Sequence, residues 1–372
     1  MGHEIGFFDS GDRSYKDFAG LNGALLAEVD RFRPDVIFCV LMHYEIWMET
    51  LDLVRANSPA AIVNWGTDDS WKFMQASRFF SRHVDLHVTT SRDAVGKAES
   101  LGLSNVMLSQ WAASAGDLAE PRPAQDCRYE VSFVGNLYGA RGEWISRLRD
   151  SGINVTSFGQ GSEGGVIEAS EIPAVYNNSA ISLNFSGAGG GGFGHATAAR
   201  QIKARTFEVP GAGGFLLTEA APDLDGYYDP GKEVAVFETP EDLIAKVRHF
   251  SAHQDERDRI ARAGYVRTRD QHTYEKRFTE ILARLQPVLD SRRSRSWTLR
   301  PADLAAPAAQ HRSTTAAAWL RTCLVALFSP LFGRERGLRA ARRFLYEVSW
   351  RICGEATYGA RGLPGRIFYG ES

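Results

Sequence analysis

The sequence predicts an α/β protein of two parallel-sheet domains facing a cleft, followed by a basic helical tail. Three observations carry that prediction. Apolar strand-like runs alternate with helical stretches across residues 1–290, the order that parallel strands with crossover helices produce. Asp35-Val-Ile-Phe-Cys-Val-Leu41 is apolar after its first residue, which suits a strand covered on both faces. Pro121-Arg-Pro-Ala-Gln-Asp126 interrupts one series of such units, and a second begins just beyond it. At 372 residues, 44% hydrophobic and 24% charged, the chain has core enough for two ordinary domains.

Taken in order, His3-Glu-Ile-Gly-Phe-Phe8 reads as a short first strand. A nucleotide-type α/β domain normally places a strand and helix before such a segment, so a missing first unit is expected. A helix to about Asp30 follows, with Phe18, Leu21, Leu25 and Val29 on one face. Strand 35–41, helix 45–56, strand Ala61–Trp65, strand Leu86–Thr90 and a helix to Ser100 complete the first block, assigned to 1–123. The second block, 124–290, carries strands Tyr129–Val134, Asn154–Phe158, Ala180–Phe185, Phe215–Leu217 and Glu233–Phe237, with a helix over Gly142–Asp150. Two helices marked by Leu243, Ile244, Val247 and Phe250, then by Phe278, Ile281, Leu282, Leu285 and Leu289, close it.

The tail, 291–372, changes character. It holds 14 Arg, no Lys and five acids, a net +9 against −2 for the whole chain, so the preceding 290 residues carry −11. Such asymmetry points to an anionic contact for the tail, while the near-neutral whole excludes a global nucleic-acid partner. Residues 316–332 are apolar but broken by Arg321 and Pro330 and short for a membrane span; Arg334, Arg336, Arg339, Arg342 and Arg343 follow at once. Two readings stay open for 311–372: an amphipathic element lying on an anionic membrane surface, or a helical subdomain packed on the body. Cys39, Cys127, Cys323 and Cys353 are widely spaced with no metal-type pattern, and no signal-peptide pattern opens the chain. The expectation is a cytoplasmic protein, peripheral on the inner face of the membrane if the tail binds there.

Several residues are candidates for chemistry. The stretch Gln201-Ile-Lys-Ala-Arg-Thr-Phe-Glu-Val-Pro-Gly-Ala-Gly-Gly-Phe-Leu-Leu-Thr-Glu219 joins a short charged helix to a buried strand through glycines. Lys203 and Arg205 suit a diphosphate, Gly211, Gly213 and Gly214 offer backbone amides, and Glu208 accepts from sugar or ribose hydroxyls. The turn Gly135-Asn-Leu-Tyr-Gly-Ala-Arg141 enters a helix, so Arg141 faces an anion there or is a solvated first-turn residue. The loop Gly187–Gly194, running into His195, reads as a ligand loop or a flexible lid. Asp68 and Asp69 end a strand, where α/β proteins place ligands, and are candidates to bind a metal or serve as the base; Asp69 as a helix N-cap competes with those roles. His87 reads as a packed strand histidine, and His272-Thr273 as a helix N-cap.

The stretch 201–219, followed by Tyr227-Tyr-Asp-Pro-Gly-Lys-Glu233, Ile260-Ala-Arg-Ala-Gly264 and His272-Thr-Tyr-Glu-Lys-Arg277, resembles the CgeB-type (spore-maturation-like) glycosyltransferases. Trp65-Gly-Thr-Asp-Asp69 and Phe133-Val-Gly135 are similar to earlier landmarks of that group, so the likeness covers residues 1–290. The resemblance implies a GT-B fold of two Rossmann-like domains. The C-terminal domain would hold a nucleotide-sugar donor and the N-terminal one a glycan, lipid-linked or protein acceptor of cell-surface polysaccharide or glycoconjugate synthesis. It further implies kinship with family 4 glycosyltransferases, retention by analogy, and neither metal nor cofactor beyond the nucleotide-sugar co-substrate. Glu208 then matches the second glutamate of a paired-glutamate motif, and Arg141 the basic residue that reaches the diphosphate. The first glutamate would fall near Arg200, and Asn136 stands where an arginine often stands. A nucleotide-sugar epimerase of the same fold, or a binding protein without catalysis, are the rival readings.

Overall fold

The computed structural model describes residues 2–12, 14–41, 44–188, 199–312 and 314–369. Its elements are α1 (Phe18–Phe32), β1 (Val36–Cys39), α2 (Met48–Asn57), β2 (Ala61–Gly66), α3 (Asp69–Lys72), α4 (Arg78–Phe80), β3 (Leu86–Thr89), α5 (Arg92–Ser100) and β4 (Val106–Leu108). There follow β5 (Tyr129–Val134), α6 (Arg141–Asp150), β6 (Val155–Phe158), α7 (Ile172–Asn177), β7 (Ser179–Asn184), the short β8 (Gly187–Ala188) and β9 (Ala199–Arg200), α8 (Arg205–Gly211), β10 (Leu216–Glu219) and β11 (Ala235–Phe237). Helices α9 (Pro240–Ala252), α10 (Gln254–Gln271), α11 (Tyr274–Arg292), α12 (Ala305–Gln310), α13 (Thr315–Phe332), α14 (Arg334–Cys353) and α15 (Leu363–Ile367) complete the chain.

Two compact units result, Met1–Leu108 with Leu282–Ser372, and Ser109–Ile281. The division thus falls ahead of the Pro121 segment, and the tail belongs to the first unit rather than standing apart. Unit 1 holds a parallel sheet in the order β1-β2-β3-β4. Residues 3–8 are not a strand: Ile5 and Phe7 are 85% and 86% exposed, and apolar side chains without a burying face give an extended segment no reason to pair. β2 is buried at every position. β1, at the sheet edge, is only half-buried throughout, against the expectation of a strand covered on both faces.

The tail completes the unit 1 core: Leu299, Leu304, Tyr358 and Ala360 pack with Phe18, Trp47 and Phe80. Arg292 donates to the carbonyl of Ala60 (2.8 Å) and to Asp85, whose Oδ2 also accepts from the Ile62 amide (2.8 Å). The tail, through Tyr358 and Ala360, therefore packs on the body of unit 1.

Unit 2 holds a parallel sheet in the order β11-β10-β7-β5-β6. Successive side chains of a strand point to opposite faces, and both faces are filled. Phe133, Leu183, Leu217 and Phe237 pack with Ile145 and Leu148 of α6 and Leu243 and Val247 of α9. Val134 and Leu216 pack with Val175 of α7 and Phe207 and Val209 of α8. Helices on both faces of a parallel sheet are the doubly wound arrangement, which places ligands at the carboxyl ends of the strands.

Candidate active site

At the carboxyl edge of the unit 2 sheet, two guanidiniums sit side by side. Arg141, the first residue of α6, is 5% exposed. Its Nη2 donates to Tyr138 Oη (2.8 Å) and the Gly187 carbonyl (3.3 Å), its Nη1 to the Asn136 carbonyl (3.2 Å), and it lies 3.9 Å over the Tyr138 ring. Arg205 opens α8 and donates Nε to Asn184 Oδ1 (3.0 Å) and Nη1 to the Val134 carbonyl (3.1 Å). All these acceptors are neutral, and among the described residues neither arginine has a carboxylate within ion-pair distance. Burial, and next the repulsion of Arg205 against the pull of Tyr138 and Glu219, hold the Arg141 pKa below its usual value. Two partly desolvated cations, with no carboxylate within ion-pair distance among the described residues, form a site prepared for an anion.

Around them lies a polar ladder that sequence reading did not single out. Asn184 Nδ2 donates to Thr218 Oγ1 (3.0 Å) and Thr206 Oγ1 (3.3 Å). The Ser186 amide donates to Glu219 Oε2 (2.8 Å), and Glu219 Oε1 pairs with Arg200 at 3.3 Å. The signal for part of it was present: Ser182, Asn184 and Ser186 recur at period two in an otherwise apolar run. Arg200, where the resemblance expects a glutamate, is engaged by the carboxylate that ends β10.

Glu208 stands on α8, half-buried, its carboxyl pKa raised by burial and by Asp117 and lowered by Arg205. It acts electrostatically on the phenols of Tyr176 and Tyr274. Lys203 precedes α8, half-buried. Gly135 gains its role here: at φ +152° a Cβ would lie 2.9 Å from Arg205 Nη1, so only glycine lets that guanidinium reach the end of β5.

The glycines after α8 do not act as predicted. The Gly213 and Gly214 amides donate to the carbonyls of Pro210 (3.0 Å) and Val209 (2.8 Å), closing the helix. A Cβ at Gly211 would stand 2.5 Å from that of Ala113, and one at Gly213 2.5 Å from the Ala119 carbonyl. All three are buried at a helix C-terminus, the negative end of its dipole. Gly211, Gly213 and Gly214 are therefore packing and capping residues, not phosphate donors. Gly189–Gly194 and His195 lie outside the described residues.

In unit 1, the adjacent aspartates after β2 separate in role. Asp69 is 1% exposed; its Oδ2 accepts from His87 Nε2 (2.8 Å) and its Oδ1 from Ser77 Oγ. Asn64 Nδ2 donates to His87 Nδ1 (3.2 Å), which fixes the tautomer with the proton on Nε2. A Cβ on Gly66 would stand 2.4 Å from Asp69 Oδ2. Asp69 is thus a closed scaffold group rather than a catalytic base or a side-chain cap, and His87 is the packed strand residue expected. Asp68 occupies the N-cap position of α3 without a side-chain cap bond and remains half-buried. It acts on Lys72, whose pKa is lowered by burial against the pull of Asp68 and Glu45. Among the described residues no three His, Cys, Asp or Glu side chains are grouped to hold a metal ion.

Residues 141–283 match a family described as glycosyl transferase-like. Over these residues the chain carries a glycosyl transferase-like domain. The matched segment contains Arg141, the polar ladder, α8 and Glu208. No curated protein matches the sequence significantly. Among solved structures, Anabaena HepE in complex with UDP and glucose is similar at TM-score 0.53 and 12% identity, over 73% of this chain and 84% of that one. Sucrose-phosphate synthase from Thermosynechococcus elongatus follows at 0.52 and 8%, over 73% and 78%. A glycosyltransferase from Rickettsia africae stands at 0.51 and 10%, over 78% and 85%. These similarities establish the fold, GT-B, with two Rossmann-like units.

Proposed function

We propose that this glycosyltransferase moves a sugar from a nucleoside-diphosphate donor, bound at the unit 2 sheet edge, to a hydroxyl of a glycan, lipid-linked or protein acceptor in cell-surface polysaccharide or glycoconjugate synthesis. The observation that carries the reading is the pair Arg141 and Arg205, cationic and held only by neutral groups. As the bond from the anomeric carbon to the diphosphate oxygen breaks, negative charge collects on the leaving group. The two guanidiniums, with Lys203, are fixed in advance to stabilise it without a metal. Glu208, half-buried on α8 and with its carboxyl pKa raised by burial, is placed to hydrogen-bond donor hydroxyls. The acceptor oxygen bonds to the anomeric carbon and gives up its proton, for which Asp68 is the acceptor-side candidate. UDP in HepE makes uridine nucleotides the first donors to test. The CgeB-type resemblance and its kinship with family 4 support retention.

The test is release of nucleoside diphosphate, and formation of product, from a panel of nucleotide sugars. Lys203→Ala and Glu208→Ala each abolish transfer while leaving the protein folded; full activity in both removes them from the site. Incubation of donor without acceptor leaves the sugar unchanged, whereas an epimerase would convert it.

A further inference from the structure

Among the described residues one helix, α13, is long and apolar enough to cross a membrane by length and composition. Its surroundings argue for another disposition. One face, Ala317, Leu324 and Phe328, is buried against α14 and α15. Other large apolar side chains of the helix are bare: Trp319, Leu327 and Leu331 are 69%, 61% and 71% exposed, and Phe332 45%. Arg321, its one charge, lies over the Phe368 ring at 5.7 Å. At about 1.5 Å per residue its 18 residues reach roughly 27 Å, short of a comfortable span and already committed along one side.

The helix that follows is the complement. In α14 the buried positions Gly337, Ala341, Leu345 and Ser349 form one face, and exposed Arg336, Arg339 and Arg343 recur at helical spacing on another. The two helices meet closely, since a Cβ on Gly337 would lie 2.6 Å from Ser329 Cα, and the tilted rings of Phe328 and Phe344 lie 5.5 Å apart. At the turn between them residues 330–336 are all exposed, so Leu331 and Phe332 stand beside Arg334 and Arg336.

We propose that the α13–α14 hairpin lies in the plane of an anionic bilayer surface, its apolar stripe in the acyl boundary and its arginines at the lipid phosphates. Apolar insertion and arginine–phosphate attraction act together in such a geometry. A second copy of the chain is a poorer occupant, because it would bring like-charged arginine rows together. The hairpin also borders the acceptor-side corner of the same unit. The tilted rings of Tyr346 and Tyr44 lie 5.4 Å apart, Arg342 lies 5.6 Å over the Tyr44 ring, and Arg342 and Arg343 act on Lys72 beside Asp68. Resting on the reading of Asp68 as acceptor-side, membrane attachment presents that corner to a lipid-anchored acceptor.

The experiment is flotation of the full chain with vesicles of phosphatidylcholine alone and of phosphatidylcholine with phosphatidylglycerol. Binding is expected only to the anionic vesicles and is released by high salt. Arg336→Ser/Arg339→Ser/Arg343→Ser weakens it on the order of 100-fold, and Leu327→Glu/Leu331→Glu abolishes it. All positions being exposed, both variants keep the parent's circular dichroism and UDP affinity. Absence of flotation by the parent, or equal flotation by the variants, overturns the proposal. So does retention in the membrane through high salt and alkaline extraction, which marks a spanning helix. Loss of a dimer in solution by the glutamate variant, with vesicle binding unchanged, assigns the face to a second copy instead. Because UDP binding is measured separately, failure here leaves the donor-site reading standing.

Discussion

At the edge of its sheet, unit 1 buries the Asp69 carboxylate together with the groups that satisfy it, His87 and Ser77, whereas unit 2 partly buries two guanidiniums and, among the described residues, bonds them to carbonyls, a phenol and an amide oxygen. Both clusters cost desolvation energy. In unit 1 the cost is offset within the fold, and the cluster holds Gly66 to Asp69 in place. In unit 2 the compensation is incomplete until an anion arrives. A buried charge with its partner is evidence of scaffold, and one without a partner is evidence of a ligand.

The largest effect that breaks this comparison comes from removing one side of the closed cluster. Asp69→Ala leaves His87 and Ser77 without their acceptor at a site that water does not reach. The expected loss is about 3 kcal/mol or more, a fall of roughly 6–12 °C in the melting of a unit of this size. Affinity for UDP, measured below the transition, stays at the parental value. Unchanged stability with lost transfer would move Asp69 from scaffold to chemistry.

Arg141→Met is the counterpart. Methionine keeps much of the apolar contact with Tyr138 and Phe133 while removing the charge. Transfer efficiency, kcat/KM for the donor, is expected to fall about 100-fold. The melting temperature should hold or rise, since a cation without a counter-ion is relieved. Loss of stability together with unchanged kcat/KM would show that the guanidinium serves the fold alone.

Much of this architecture was legible in the sequence, because strand and helix periodicities are local. β5 was placed to the residue, and β2, β6, β7 and α6 to within one or two. Legibility failed where a role depends on what lies across the fold. Asp68 and Asp69 are chemically identical neighbours, and only the course of the turn after Gly66 decides which one meets His87, 18 residues on. The pairing of Arg200 with Glu219 joins residues on either side of α8. The glycines at 211–214 were misread for a different reason, one open to correction from sequence alone. They follow a helix rather than precede one, and amides at that end close the helix instead of facing an anion. The exposed face of α13 was hidden because composition states that a helix is apolar without stating which side the fold covers.

The smallest effect sharpens the comparison through protons. In unit 2, His272 is 5% exposed, its Nε2 donating to the Tyr227 carbonyl (2.9 Å) and its Nδ1 accepting from Arg277 Nη2 (3.0 Å). Burial, then the neighbouring Arg277 and Arg267 against the Tyr227 carbonyl, push its pKa down to about 4 from an ordinary 6.5. A group whose folded pKa is depressed contributes stability above its unfolded pKa, and that contribution fades as pH falls from about 6.5 to about 4. Its size is on the order of 3 kcal/mol. Unit 1 differs because its histidines oppose one another. Burial disfavours the charged form of His83, yet Asp52 and Glu355 outweigh it and raise the pKa, while burial lowers that of His311. Mild acid should therefore loosen unit 2 before unit 1, which amide hydrogen exchange at pH 7 and pH 5 resolves strand by strand. His272→Asn should flatten the dependence in β10 and β11 and leave β2 and β3 unaffected. An equal response of both sheets in the parent, unchanged in the variant, would place the acid-sensitive group elsewhere.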